Sequence, residues 1–272
     1  MNRSGHTIFK GFTLVELLVV VSIMGIMTAL VIPAFGPVSG SNATTVAVYD
    51  IAGALENART YAMANNTFTW VGFFEEDGSR PSTTPATPGT GRLVISVVAS
   101  ADGSTYSAAN LGSTNPPSFG SAANPVKLVP VGKLLKLSNI HIGALNSGSA
   151  SGIGNLPLRP GVAPAYQVGD PSFAVHGTPA MSGSTTFTCP LTAVGTATKP
   201  QYTFVKIIEF DPQGEPSKIV DGAINGPQSW LEIALVPTHG SAVAHQYSSN
   251  SATAAAALQV EGITGRTNIY VQ

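Results

Sequence analysis

Charge is what this chain has least of. Among 272 residues, Lys+Arg 13 and Asp+Glu 14 make up 10%, well under the quarter or so usual in globular proteins. The two signs nearly cancel, and no basic cluster follows the first ten residues, so nucleic acid is not an expected partner. Cysteine is almost missing: Cys189 stands alone, which rules out an intramolecular disulfide and any metal site built on paired cysteines. It leaves the redox compartment undecided. Signatures of catalysis are missing too. No G-x-S-x-G occurs, and the run GSASGIG at 148–154 follows no strand-to-helix phosphate pattern, so it reads as a linker. His141, His176, His239 and His245 are scattered, and "HGSAVAH" spaces its two histidines off the i, i+4 interval of a zinc helix, with no Glu beside the first. Cys189 has no obvious base, and Asp211 with Glu215 falls short of a calcium loop, so "FDPQGE" reads as a Pro-Gly turn. No enzyme, cofactor or metal is expected.

What is present is 43% hydrophobic content, enough for a core, with Gly 29 and Pro 20 among many small hydroxyl residues. The strongest feature is "KGFTLVELLVVVSIMGIM", Lys10 to Met27. From Phe12 to Phe35 the only ionisable group is Glu16, and the stretch is long enough to cross a bilayer of roughly 30 Å as a helix. Arg3, His6 and Lys10 precede it without an acid, which keeps the N-terminus in the cytoplasm and exports the rest. An ordinary secretory signal would have a shorter apolar region, and a carboxylate at a membrane centre costs ~2.5–3.5 kcal/mol. Glu16 therefore needs a partner and a purpose.

These residues resemble the class III signal of type IV pilins and type II secretion pseudopilins: a short basic leader ending in glycine, then Phe, a Glu fifth in the mature chain, and an apolar helix. Gly11, Phe12, Thr13, Leu14, Glu16, Leu17 and Leu18 carry the match. The resemblance implies that a prepilin peptidase cuts between Gly11 and Phe12 on the cytoplasmic face and methylates the Phe12 amine. It makes Glu16 the assembly residue. On physical grounds the Phe12 ammonium and the Glu16 carboxylate are natural counter-ions, either between neighbouring subunits or within one chain. Pro33 falls where many pilins carry a proline. It removes one helical hydrogen bond, and with Gly36, Pro37 and Gly40 it marks a helix break.

A second helix is expected over 36–66. Val48, Ile51, Leu55, Ala58 and Ala62 recur at spacings of three and four, Asp50, Glu56 and Asn57 lie off the stripe, Ser41 or Asn42 can cap its start, and Asn65-Asn66 ends it. Beyond it, β-type runs at 67–74, 92–99, 126–137, 202–210, 230–236 and 267–271 alternate with Gly, Pro, Ser and Thr. In "WLEIALV" Leu231, Ile233 and Leu235 alternate with Trp230, Glu232 and Ala234, the mark of a half-buried antiparallel strand. The stretches 77–91, 100–125 and 143–200 read as loops. The C-terminal part resembles H-type minor pseudopilins (GspH/FimT type), a likeness carried by Phe210, Pro212, Gly214, Gly262, Gly265 and Arg266, while residues 100–200 match nothing in that family.

The expectation is an α+β, pilin-like fold. Residues 1–11 form a leader, 12–35 a transmembrane and assembly helix, 36–66 the second half of the stalk, and 67–272 an antiparallel β-sheet head with long loops. The implied function is that of a structural subunit, a minor pseudopilin or pilin, of a type II secretion pseudopilus or type IV pilus. It would sit in a bacterial inner membrane with the head in the periplasm. Its partners would be prepilin peptidase, other pilin subunits, the inner-membrane assembly platform and lipid. The competing reading is a signal-anchored surface-binding protein or adhesin, and a third, weaker one is an exported hydrolase.

Overall fold

The computed structural model describes residues 13–31, 36–103, 128–145, 156–173, 187–191, 200–220, 223–225, 229–244 and 254–272. The chain divides into two compact units, Met1–Ser39 and Gly40–Gln272. In the first, α1 spans Leu14–Val31. Its 18 residues reach ~27 Å, and among the described residues no helix is long and apolar enough to cross a membrane. The expected 12–35 span is therefore not carried by one described helix: α1 starts after Phe12 and ends before 32–35, all of which lie outside the described residues.

The second helix, α2, runs Gly36–Asn65. Ser41 and Asn42 fall inside it, so neither caps its start. Its end follows the sequence: Asn66 takes φ +49° and the Thr67 N–H bonds the Ala62 carbonyl at 3.0 Å, a Schellman closure. The whole predicted stripe, Val48, Ile51, Leu55, Ala58 and Ala62, is buried.

Fourteen strands follow among the described residues. They are β1 (Thr69–Asp77), β2 (Gly91–Ser100), β3 (Leu128–Pro130), β4 (Leu135–Ser138), β5 (Ile140–Gly143), β6 (Phe187–Cys189), β7 (Tyr202–Phe204), β8 (Lys206–Phe210), β9 (Pro216–Val220), β10 (Ala223–Asn225), β11 (Trp230–His239), β12 (Ala242–Val243), β13 (Ala256–Glu261) and β14 (Thr267–Val271). In place of one sheet they build two, with a ribbon. The first sheet has the order β10-β9-β8-β1-β2, with β3 and β4 pairing successive parts of β2; the second is β12-β11-β13-β14 with β5 also on β11; β6 and β7 form the ribbon. The named strand pairs are all antiparallel.

Register follows burial. Val71 stands opposite Val97 on one side and Ile208 on the other, and all three enter a core shared with the α2 stripe and with Leu231, Ile233, Leu235 and Leu258 of the second sheet. Residues one step along, Trp70, Val94, Val98 and Ile207, pack the opposite face against Phe187, Tyr202 and Phe204 of the ribbon. Both faces of the first sheet are thus covered, which is why "TWVGFF" and "RLVISVVA" lack clean alternation. Gly72 makes the ribbon's approach possible: a Cβ there would stand 2.6 Å from Phe187 Cζ and 2.7 Å from Phe204 Cβ. The expected strands at 126–137 and 202–210 each divide in two, the latter at Val205, where the chain leaves the ribbon for the first sheet. Within the expected loop 143–200, residues 187–189 form β6, and Val168 and Phe173 are buried in the main core.

Candidate functional site

The candidate site is the start of α1, built by the sequence T-x-x-E. Thr13 precedes the first helical residue and Glu16 is the third. The Glu16 carboxylate reaches back: one oxygen accepts from the Thr13 backbone N–H at 3.0 Å and from its hydroxyl at 2.8 Å, while the Glu16 N–H donates to that hydroxyl at 3.3 Å. This is a reciprocal capping box, and it satisfies helix-end donors that otherwise have no partner. Sequence reasoning placed Glu16 as counter-ion of the Phe12 amine, its own or a neighbour's. In this uncut chain its partner is Thr13, a residue the motif contains but to which no role was given. Gly11, Phe12 and Pro33 lie outside the described residues.

Beyond the box, α1 presents hydrocarbon on every side: residues 13–28 are all exposed in the single chain, Leu14 by 81% and Met24 by 64%. A helix apolar all round belongs in an apolar surrounding. Its polar side chains agree. The Ser22 hydroxyl donates to the Leu18 carbonyl and the Thr28 hydroxyl to the Met24 carbonyl, each at 2.8 Å, so neither needs an outside partner.

The turn residues singled out in the sequence come together at the far end of α2. Phe210 is buried in the core, and Asp211 starts a turn whose own backbone fills its carboxylate: one oxygen accepts from the N–H groups of Gln213 at 2.9 Å and Glu215 at 2.8 Å. Half-buried Pro212 sits within this turn, and Gly214 closes it at φ +82°. Gly265, at φ +66°, closes the turn between β13 and β14, and a Cβ on it would stand 2.1 Å from the Gly214 carbonyl oxygen and 2.8 Å from Arg59 Cδ. Gly262 is buried with its N–H on Ser229, and Arg266 is exposed. Gly214 and Gly265 meet over Arg59 and shape a clasp on α2.

The residues weighed for catalysis stay apart. His141 lies on β5 and bonds Glu75 through Nδ1 at 2.8 Å, joining the two sheets; His239 is exposed at the end of β11; His176 and His245 lie outside the described residues. Burial pushes the Cys189 thiol up, against a smaller pull from Lys136, which disfavours the nucleophilic thiolate. Among the described residues no three His, Cys, Asp or Glu side chains could hold a metal ion.

Two buried carboxylates and one half-buried amine had no role assigned from the sequence. Glu209 accepts from Trp70 Nε1 at 2.6 Å and Ser217 Oγ at 3.3 Å, and burial, outweighing those bonds, raises its carboxyl to about 7. Glu232 accepts from Arg159 Nε at 2.7 Å and Gln259 Nε2 at 3.0 Å, which pins the 156–173 segment on the second sheet. Burial holds the Lys206 ammonium below its ordinary range, with Glu75 and Asp170 opposing. Of these, only Glu232 announced itself, as a charge inside an apolar strand.

No curated protein and no solved structure matches the chain. Residues 8–32 match the family model of the prokaryotic N-terminal methylation motif. That segment holds the capping box and all of α1. The chain therefore carries the prokaryotic N-terminal methylation motif, consistent with the type IV pilin and pseudopilin family, whose members are structural subunits processed as prepilins.

Proposed function

We infer that this protein is a prepilin whose mature form is a minor pseudopilin or pilin, a structural subunit of a type II secretion pseudopilus or type IV pilus. The observation that carries the reading is α1: apolar on every side, within a methylation motif, and with its described polar side chains answered inside the helix. Prepilin peptidase cuts between Gly11 and Phe12 and methylates the Phe12 amine. Before that, the 12–35 segment holds the chain in a bacterial inner membrane with the head in the periplasm. The assembly platform then draws α1 from lipid into the filament.

Glu16 has two tasks in this scheme. In the precursor its carboxylate caps α1 through Thr13. After cleavage the Phe12 ammonium lies one residue upstream of that cap, and the same carboxylate is the nearest anion for its own or a neighbour's amine.

Intact-mass analysis of protein from membranes should find a chain beginning at methylated Phe12. A start at Met1 or Pro37 would sink the assignment. Glu16→Gln keeps an oxygen for the cap and drops the charge, so it should be cleaved as wild type yet enter filaments at least tenfold less; full incorporation would remove the charge from the mechanism.

A further inference from the structure

Along one flank of α2 the head leaves a groove of about 270 Å3. Its floor is Ile95, Val97, Val131 and Leu135, and α2 supplies Gly53 and Asn57 as one wall. A Cβ on Gly53 would meet nothing within 4 Å, so this wall is open. Asp50 and Lys133 also line the groove, each exposed and in no ion pair among the described residues.

On another flank of the same helix, the turn between β13 and β14 lifts Ile263 into solvent. At 73% it is the most exposed large apolar side chain described in residues 40–272. The turn under it is stiff. Gly265 N–H bonds the Glu261 carbonyl at 2.8 Å, Glu261 N–H bonds the Arg266 carbonyl at 2.9 Å, and the Thr264 hydroxyl bonds the Glu261 carboxylate at 2.6 Å. Its base is locked against Gly214 and Arg59. A rigid apolar tip loses little freedom on binding. Exposed Arg266 flanks it on one side and half-buried Glu261 on the other, and neither is in an ion pair among the described residues.

Knob and groove are displaced from each other. Gly53 and Asn57 mark the groove on α2, while Arg59 and Met63 lie under the clasp. At 100° and 1.5 Å per residue the two sites are about a third of a turn apart and about 9 Å apart along the axis. Identical subunits of one filament are related by a rotation and a rise along a common axis, so α2 keeps one axial direction in all of them, and parallel helices offset along that axis meet head to tail rather than as a closed pair.

We propose that Ile263 of one copy seats in the α2 groove of the next, with Arg266 facing Asp50 and Glu261 facing Lys133, so that copies of this chain join head to tail. The proposal rests on the subunit reading above, which supplies the shared direction of α2. The groove has room for a branched aliphatic side chain. The crossed charges fix its orientation.

The test uses the full-length chain in membranes, with Cys189→Ser as background and Gly53→Cys plus Thr264→Cys, beside the knob, added. Mild oxidation should give a ladder of disulfide-linked multimers. Co-expressed single variants should give a band that stops at the dimer, and either single variant alone should give none. A double variant that gives no ladder, stops at the dimer, or links only to a different prepilin would overturn the contact. N-terminal mass from the same samples separates the two readings: a chain starting at methylated Phe12 without a ladder leaves the subunit assignment standing. As a second arm, Asp50→Arg should cut cross-linking at least tenfold, and adding Arg266→Asp should restore it. Failure of restoration would remove the charge pairing.

Discussion

The carbonyl oxygen of Gly214 lies 2.1 Å from the point where a Cβ on Gly265 would stand. Two turns distant in sequence touch there, over Arg59, because residue 265 has no side chain.

Gly265→Ala should accordingly destabilise the head by at least ~2 kcal/mol, since it sets a methyl group against backbone and demands φ +66° of an L-residue. Gly214→Ala should cost less. Its first obstacle is the Met63 thioether at 2.8 Å, a flexible side chain able to give way. Thermal unfolding of the two variants should rank them in that order.

Glu209 makes stability depend on pH. Its carboxyl titrates at about 7 in the fold against 4.5 when exposed, so the folded state holds a proton the unfolded chain has released. The stabilisation is complete below about 4.5 and is lost as pH rises through about 7, a change on the order of 3 kcal/mol. Glu209→Gln keeps an acceptor for the Trp70 N–H and should flatten this part of the profile. Denaturant midpoints at pH 5 and pH 8 would show it, and a slope unchanged in the variant would assign the titration elsewhere.

The Arg159–Glu232 pair is buried on both sides, with side chains 6% and 3% exposed. Removing one partner leaves the other charge without compensation, so Glu232→Ala should cost ~3–5 kcal/mol. Arg159→Met combined with Glu232→Leu should recover most of it. The recovery is measurable as a double-mutant coupling in urea unfolding.

The parts of this fold legible in the sequence were those in which one element meets one surface. The α2 stripe reads correctly because only one side of that helix is covered. "WLEIALV" alternates in residue type, yet it is not the half-buried strand expected: Leu231, Ile233 and Leu235 enter the main core, while Glu232, Ala234 and Val236 are buried on the other face. Where both faces are buried, the pattern fades. β13 went unread because the alanines before Leu258 favour a helix locally, and pairing with β11 and β14 overrides them. β6 carries only three residues, and nothing within Phe187–Cys189 signals that its partner is β7. At the candidate site the motif was plain, but the Thr13 cap was not, because a neutral hydroxyl three residues from Glu16 carries no charge that calls for a partner.

The hydroxyls of Ser22 and Thr28 turn back onto the carbonyls of Leu18 and Met24, and Glu16 onto Thr13. Apart from the charge of Glu16, α1 therefore offers its surroundings only dispersion contacts. In the proposed subunit, exchanging lipid tails for the side chains of neighbouring helices would replace one hydrocarbon with another, and the Ser22 and Thr28 hydrogen bonds are neither broken nor made. That part of the transfer is close to thermoneutral and runs either way. Its direction must come from the pairing of the Glu16 charge, from work done on the chain, or from contacts the head makes once it arrives.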